Sequence, residues 1–455
     1  MRPATPAAGH AVAPAADLSL MRVVLATLLA AGALWLATAP AANADVVAPR
    51  SAAAFSDSVG VVTHIVYYDT AYGDWPRVVA KLDELGVRHV RDGVYGNPKS
   101  EWRDWNERYY RAVELAAARG IRFAFGIGPP RSRTGNLDQL IGVIGGRLRH
   151  AAEAIEAPNE FDKYVGGPGW PSVLASFERD LYRKAKAHAS VRSLPLVGPS
   201  FATPDAPQRV GDLGAWLDVG NIHPYTGGRS PDPQHLRSEL ERASLTAGRK
   251  PVWATEAGFH NALRARDGQP PVSERAGAVY LLRTFLEHFR SGIDRTYAYE
   301  LIDEKSDRGA ADPEQHFGLL SNDFTPKPAF TALKNLLSLV GRGDRRSPLR
   351  PLRIEMAGAQ GQVRRLVLQK PDGSYVVALW RLASVWDADR RRPLRVAARS
   401  VTVELPDAAR VASADPLASP ALRPLALHGG RVRVRLAGEP LLLRVTPRRQ
   451  LSARS

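Results

Sequence analysis

Residues 61–66, 75–85 and 87–94 read Val-Val-Thr-His-Ile-Val, Trp-Pro-Arg-Val-Val-Ala-Lys-Leu-Asp-Glu-Leu and Val-Arg-His-Val-Arg-Asp-Gly-Val. A short β-branched apolar run, a longer amphipathic stretch and a second apolar run make one strand–helix–strand unit of a parallel sheet. The pattern then repeats. Six further runs read as strands: Ile121 to Ile127, Ala154 to Pro158, Pro195 to Pro199, Asp218 to His223, Pro251 to Glu256 and Thr296 to Leu301. Helix-like segments follow at Tyr109 to Arg119, Leu137 to Arg149, Pro171 to His188, Pro233 to Ala247, Ser273 to Ser291 and Pro328 to Val340. Only the fifth crossover, residues 201–217, is too rich in Pro, Asp and Gly for more than a turn or a frayed helix. Eight such units over residues 59–340 match a (β/α)8 barrel. A doubly wound nucleotide-binding sheet competes, but no GxGxxG or GxxxxGK[ST] follows any strand.

Outward from the barrel the character changes. Residues 341–350 form a charged, turn-rich linker, and 351–448 read as short alternating strands of an antiparallel β-sandwich. Examples are Leu366 to Leu368, Tyr375 to Trp380, Val401 to Leu405, Val432 to Leu436 and Leu441 to Val445. One or two strands within residues 46–58 are placed to join that sandwich, and 449–455 form a basic tail. At the other end, Val23 to Ala39 is an apolar run after Arg22, leading to Ala-Asn-Ala at 42–44. This reads as a signal peptide cleaved after Ala44, with Met21 as an alternative start, and hence as a secreted protein. An uncleaved anchor is the competing reading, although the run is short for a bilayer span.

The chain has no cysteine, which excludes disulfides, thiolate metal sites and cysteine nucleophiles. Its net charge of +16 is uneven, because residues 341–455 hold 23 Lys and Arg against 9 Asp and Glu, a surplus of 14. A solvated surface, or adhesion to anionic polysaccharide or cell envelope through Arg431, Arg433 and Arg435 on one strand face, would account for that surplus. Nucleic-acid binding has no supporting motif.

Barrel active sites form at the C-terminal ends of the strands. There the sequence offers Ile155-Glu-Ala-Pro-Asn-Glu160 on strand four, Asn221-Ile-His-Pro-Tyr225 on strand six and Trp253-Ala-Thr-Glu256 on strand seven. Glycosidic cleavage needs one carboxylic acid to protonate the leaving oxygen and one carboxylate across the anomeric carbon, and a separation of about 5–5.5 Å permits direct attack. Glu160 and Glu256 can supply that pair. Taken singly, a strand-end glutamate is as well explained by a structural ion pair.

In these motifs the chain resembles glycoside hydrolase clan A, over residues 59–340, and most nearly family 39. The resemblance implies Glu160 as acid/base and Glu256 as nucleophile of a retaining hydrolase acting on β-linked glycans. It also implies Asn159 as a contact to the sugar 2-hydroxyl, with His223, Tyr225 and Arg91 supporting the nucleophile. Phe317-Gly-Leu-Leu-Ser-Asn-Asp-Phe-Thr-Pro-Lys-Pro-Ala-Phe330 is similar to the segment closing many clan A barrels, and the C-terminal region resembles the accessory sandwich of families 39, 5 and 30. Two departures are Phe161 in place of a common Pro, and strand eight carrying Tyr297, Tyr299 and Glu300 without the usual Trp. His64, Tyr299 and Glu300 are further candidates for lining sugar subsites, with packing or a rim ion pair as the plainer reading. No EF-hand or zinc spacing occurs, so the expectation is a monomer that needs no metal or other cofactor and takes a carbohydrate substrate. A non-catalytic carbohydrate-binding protein and a transglycosidase are the competing functions.

Overall fold

The computed structural model describes residues 45–448, apart from Arg131, Ala359, Gln360 and Gln362. The proposed signal peptide, the alternative start at Met21 and the basic tail therefore lie outside the described residues. No helix among the described residues is long and apolar enough to cross a membrane.

Eight parallel strands form the barrel: β1 (Val59–Val62), β2 (His89–Gly93), β3 (Arg122–Gly126), β4 (Ala152–Glu156), β5 (Leu196–Val197), β6 (Gly220–Ile222), β7 (Val252–Ala257) and β8 (Arg295–Ala298). They are bonded in the order β5-β4-β3-β2-β1-β8-β7-β6, and a parallel bridge between Val197 and Val219 joins the ends into a near-closed ring. Val62, Ala124, Ala154, Val197, Val219, Trp253 and Tyr297 fill the interior. The strands are shorter than the apolar runs suggest. Val61 to Val66 reads as one strand, yet pairing stops at Val62, and Ile65 and Val66 are buried in the following loop instead. Thr296 to Leu301 likewise stops pairing at Ala298.

The crossover helices are α2 (Trp75–Leu85), α3 (Arg103–Ala118), α4 (Leu137–Gly145), α6 (Trp170–Ala187), α8 (Pro233–Ala247), α9 (Glu274–Arg290) and α10 (Pro328–Val340), with short α1 (Ala52–Asp57), α5 (Phe161–Tyr164) and α7 (Ala206–Val210). Local chemistry sets their ends. Asp74 caps α2, Pro76 sits in its first turn and Gly86, at φ +87°, ends it. A reciprocal Asn136–Gln139 capping box starts α4, which ends at Gly145 rather than Arg149. A Cβ at Gly145 would strike the His188 ring, which would have to swing aside to admit it. The fifth crossover holds only α7 and one turn of 3-10 helix at Gly214–Trp216.

After the barrel come β9 (Glu355–Ala357), β10 (Val363–Gln369), β11 (Tyr375–Arg381), β12 (Arg399–Glu404), β13 (Ala408–Ala414), β14 (Arg423–Leu425), β15 (Arg431–Leu436) and β16 (Leu441–Pro447). A three-stranded sheet, β9-β12-β15, faces a second sheet ordered β14-β13-β16-β11-β10, whose edge is completed by Arg50–Ser51 in parallel with β10. Val46–Val47 pairs antiparallel with Leu352–Arg353, and the remainder of 52–57 is helix α1 rather than strand. All seven residues of β11 are buried. Val377 and Leu379 face the sandwich core, whereas Val376, Ala378 and Trp380 pack with the barrel helices. Strand alternation thus serves two apolar layers at once. The seam is the barrel helix α9, buried continuously from Ala276 to Phe289, with the polar Arg283, Thr284, Glu287 and His288 among its buried residues.

Candidate active site

At the C-terminal mouth of the barrel a cleft of about 880 Å³ is lined by residues from nearly every strand end. Its acidic centre is built by three local devices. Pro158 forces extended backbone after β4, and Glu160 follows at φ +37°, in the left-handed region that a non-glycine residue enters only when its surroundings impose it. Ser200 accepts the Glu160 N–H at 3.1 Å, and Asp162 accepts from the backbone of Ala202 and Thr203, binding the β4 loop to the β5 loop. On β7 the register against β8 slips by one residue between Ala254 and Ala257. This bulge turns the consecutive side chains of Thr255 and Glu256 toward the same centre, which a regular strand would send to opposite faces.

Glu256 is bound on both oxygens: Arg91 Nη1 donates to Oε1 at 2.5 Å and Tyr225 Oη donates to Oε2 at 2.7 Å. Burial raises its pKa, but the charges of His223 and Arg91 outweigh that and hold it below the ordinary glutamate value, so it is ionised. Arg91 also grips Glu156 through Nε at 2.8 Å and Nη2 at 2.9 Å, and reaches Asn159 Oδ1 at 2.7 Å. Glu156 is fully buried and takes a further bond from Asn221 at 3.1 Å.

His223 stands between the two outer carboxylates, its Nδ1 3.0 Å from Glu160 and 3.5 Å from Glu256, its Nε2 3.0 Å from Thr255 Oγ1. The single Thr255 hydroxyl proton already faces acceptors on Glu156 at 3.0 Å and Asn221 at 2.8 Å. His223 must therefore donate from Nε2, and it donates from Nδ1 whenever Glu160 is ionised, as an imidazolium does. Burial raises the Glu160 pKa, but the hydrogen bond and charge of His223, with Lys163 at 3.3 Å, outweigh it and hold the carboxyl at about 2. One proton is thus shared between Glu160 and His223. Glu160, His223 and Glu256 each present a polar atom within 4.8 Å of the other two.

The structure brings Asn159, Glu160, Glu256, Arg91, His223 and Tyr225 into this one cluster, and His64 and Tyr299 line the same cleft. Tyr299 Oη donates to Glu314 at 3.1 Å, and its ring packs edge-on against Phe317 and His64. Glu300 is elsewhere: it is fully buried, accepts from Tyr72 Oη at 2.9 Å and does not line the cleft. Asp303, next to it on the β8 loop, is buried and pairs with Lys327 at 2.8 Å. Sequence reading missed Glu156, Thr255, Asn221 and Lys163 as members. Glu156 carries a signal of its own, an acidic residue at the C-terminal end of a barrel strand, whereas Thr255 became visible only through the bulge.

No protein-family profile and no curated protein sequence matches the chain. Solved structures do. A monomeric β-xylosidase from Caulobacter crescentus CB15 aligns at TM-score 0.55 and 14% identity, covering 89% of this chain and 98% of its own. A 4-O-α-L-rhamnosyl-β-D-glucuronidase from Fusarium oxysporum 12S aligns at TM-score 0.56 and 13% identity, covering 90% and 99%. A glucosidase from Croceicoccus marinus aligns at TM-score 0.51 and 14% identity, covering 82% and 92%. At these identities the likeness is one of fold, and it covers barrel and sandwich together.

Proposed function

We propose that the protein is a secreted, monomeric retaining glycoside hydrolase of clan A, nearest to family 39, cleaving β-glycosidic bonds of an oligo- or polysaccharide. The observation that carries this reading is the buried Glu160–Glu256 pair, with polar atoms within 4.8 Å across one barrel mouth. Glu256, ionised and held by Arg91 and Tyr225, attacks the anomeric carbon. Glu160 protonates the departing oxygen with the proton it shares with His223, then takes a proton from water as the glycosyl–Glu256 ester is hydrolysed. The two carboxylates suffice for this chemistry without a cofactor. Asn159, whose side-chain oxygen is held by Arg91, has an amide without a hydrogen-bond partner among the described residues, placed to meet a sugar hydroxyl. The β-glycosidase names of the aligned structures agree with this substrate class.

The test is mechanism-based labelling with a panel of activated 2-fluoro-β-glycosides, read by mass spectrometry of peptides. Covalent mass on Glu256 is the expected result, and Glu256→Ala is expected to lose essentially all turnover. Full activity in Glu256→Ala, or labelling at another residue, would sink the assignment.

A further inference from the structure

Behind the cleft wall lies a second group of ligating side chains, drawn from opposite ends of the barrel sequence. His64 follows β1, and Glu300 and Glu304 follow β8; each offers an atom within 4.8 Å of the other two. Glu300 is 0% exposed, and its Oε1 has no hydrogen-bond donor among the described residues. Its Oε2 takes the Tyr72 hydroxyl at 2.9 Å. His64 Nε2 is also without a hydrogen bond, standing 3.4 Å from Glu300 Oε2. A buried carboxylate oxygen without a partner is costly and calls for a specific explanation.

The nearby cations are engaged elsewhere: Lys305 pairs with Asp69 at 2.6 Å and Lys327 with Asp303 at 2.8 Å. No lysine or arginine among the described residues pairs with Glu300 or Glu304. The 3.4 Å between His64 Nε2 and Glu300 Oε2 is beyond a good hydrogen bond, yet two ligands bound at about 2.0–2.1 Å to one tetrahedral ion stand about 3.3 Å apart. The scaffold around these ligands is rigid. Thr63 and Ile65, flanking His64, both donate to Asp92, at 2.6 and 2.9 Å, and Ala71 N–H binds the Glu304 carbonyl at 3.0 Å. We infer that His64, Glu300 and Glu304 form a binding site for a divalent first-row metal ion, Zn²⁺ or Mn²⁺, which ties the β1 loop to the β8 loop beneath the cleft.

One imidazole with two carboxylates is a donor set suited to such ions. Burial first, and then the charges of Glu304 on Glu300 and of Glu314 on Glu304, push both carboxyls up, Glu304 to about 7. Burial also keeps the His64 imidazole neutral and able to ligate, with its pKa at about 4. The ion would hold His64, which stacks on Tyr67 at 4.7 Å, against the cleft while taking no part in bond cleavage. The inference is independent of the reaction proposed above.

The experiment uses the full-length protein without an affinity tag, stripped with chelator and dialysed. Binding of Zn²⁺ and Mn²⁺ is measured by titration calorimetry, and bound metal by mass spectrometry. One ion per chain is expected, with affinity at least tenfold weaker in Glu304→Gln and in His64→Asn, both checked for folding by circular dichroism. Glu160→Gln is the control, because Glu160, His223 and Glu256 form the other metal-sized cluster, and its affinity is expected to equal that of the parent. No stoichiometric uptake, unchanged affinity in Glu304→Gln and His64→Asn, or loss of the ion in Glu160→Gln would each overturn the inference.

Discussion

Arg91 binds two buried glutamates with one guanidinium and so governs the charge at the centre of the site. Replacing it by Met leaves Glu156 without its guanidinium and Glu256 with His223 alone as a charged partner. Breaking such a pair costs on the order of 3–5 kcal/mol, so Arg91→Met is expected to lower the denaturation midpoint accordingly. Urea unfolding measures it, and a loss below ~1 kcal/mol would mean that the carboxylates find other partners. His223 acts on the same charges with opposite effect on catalysis, since it holds Glu160 ionised at about 2. His223→Asn keeps a hydrogen-bond donor but removes the charge, so the Glu160 pKa rises. The proton that the pair holds in common is then held by the carboxyl alone, which releases it at lower pH than an imidazolium does, so the alkaline limb of kcat/KM moves downward. A pH–rate profile checks this, and a limb that stays or moves up would contradict the shared-proton geometry.

At the scale of elements, one inserted residue on β7 does what no residue choice could do alone. The bulge lets Thr255 serve the buried Glu156–Asn221 pair while Glu256 meets Arg91 and Tyr225. Thr255→Val keeps the shape and leaves Asn221 Oδ1 without its donor, which is expected to cost about 1–3 kcal/mol. Equilibrium denaturation tests it, and an unchanged midpoint would show that the hydroxyl carries nothing. Helix bounds were legible wherever a cap and a Pro coincide with the apolar period, as in Trp75–Leu85 and Pro233–Ala247. Strand ends were less so. Apolar runs such as Val61 to Val66 continue past the last ladder bond, because a loop folded over the barrel rim buries its residues as fully as a strand does.

Across the whole molecule, β11 and α9 join the sandwich to the barrel. Trp380 is fully buried and its Nε1 donates to Glu287 Oε1 at 2.9 Å, while Arg364 reaches the same carboxylate at 3.1 Å. Barrel and sandwich are therefore expected to melt in a single calorimetric transition, and Trp380→Ala to lower it as a unit at a cost of about 3–5 kcal/mol. Two separated transitions in the parent protein would refute the coupling. By itself the sequence determined the alternation of strands and helices, the change of pattern near residue 341 and the placing of Glu160 and Glu256 at strand ends, because periodicity and turn chemistry are local properties. Tertiary structure alone decided that Glu300 leaves the cleft, that Glu156 and Thr255 enter the charge network, and that His64 meets Glu300 and Glu304. Closing a barrel brings together residues more than two hundred positions apart, and no spacing along the chain encodes a distance across its mouth.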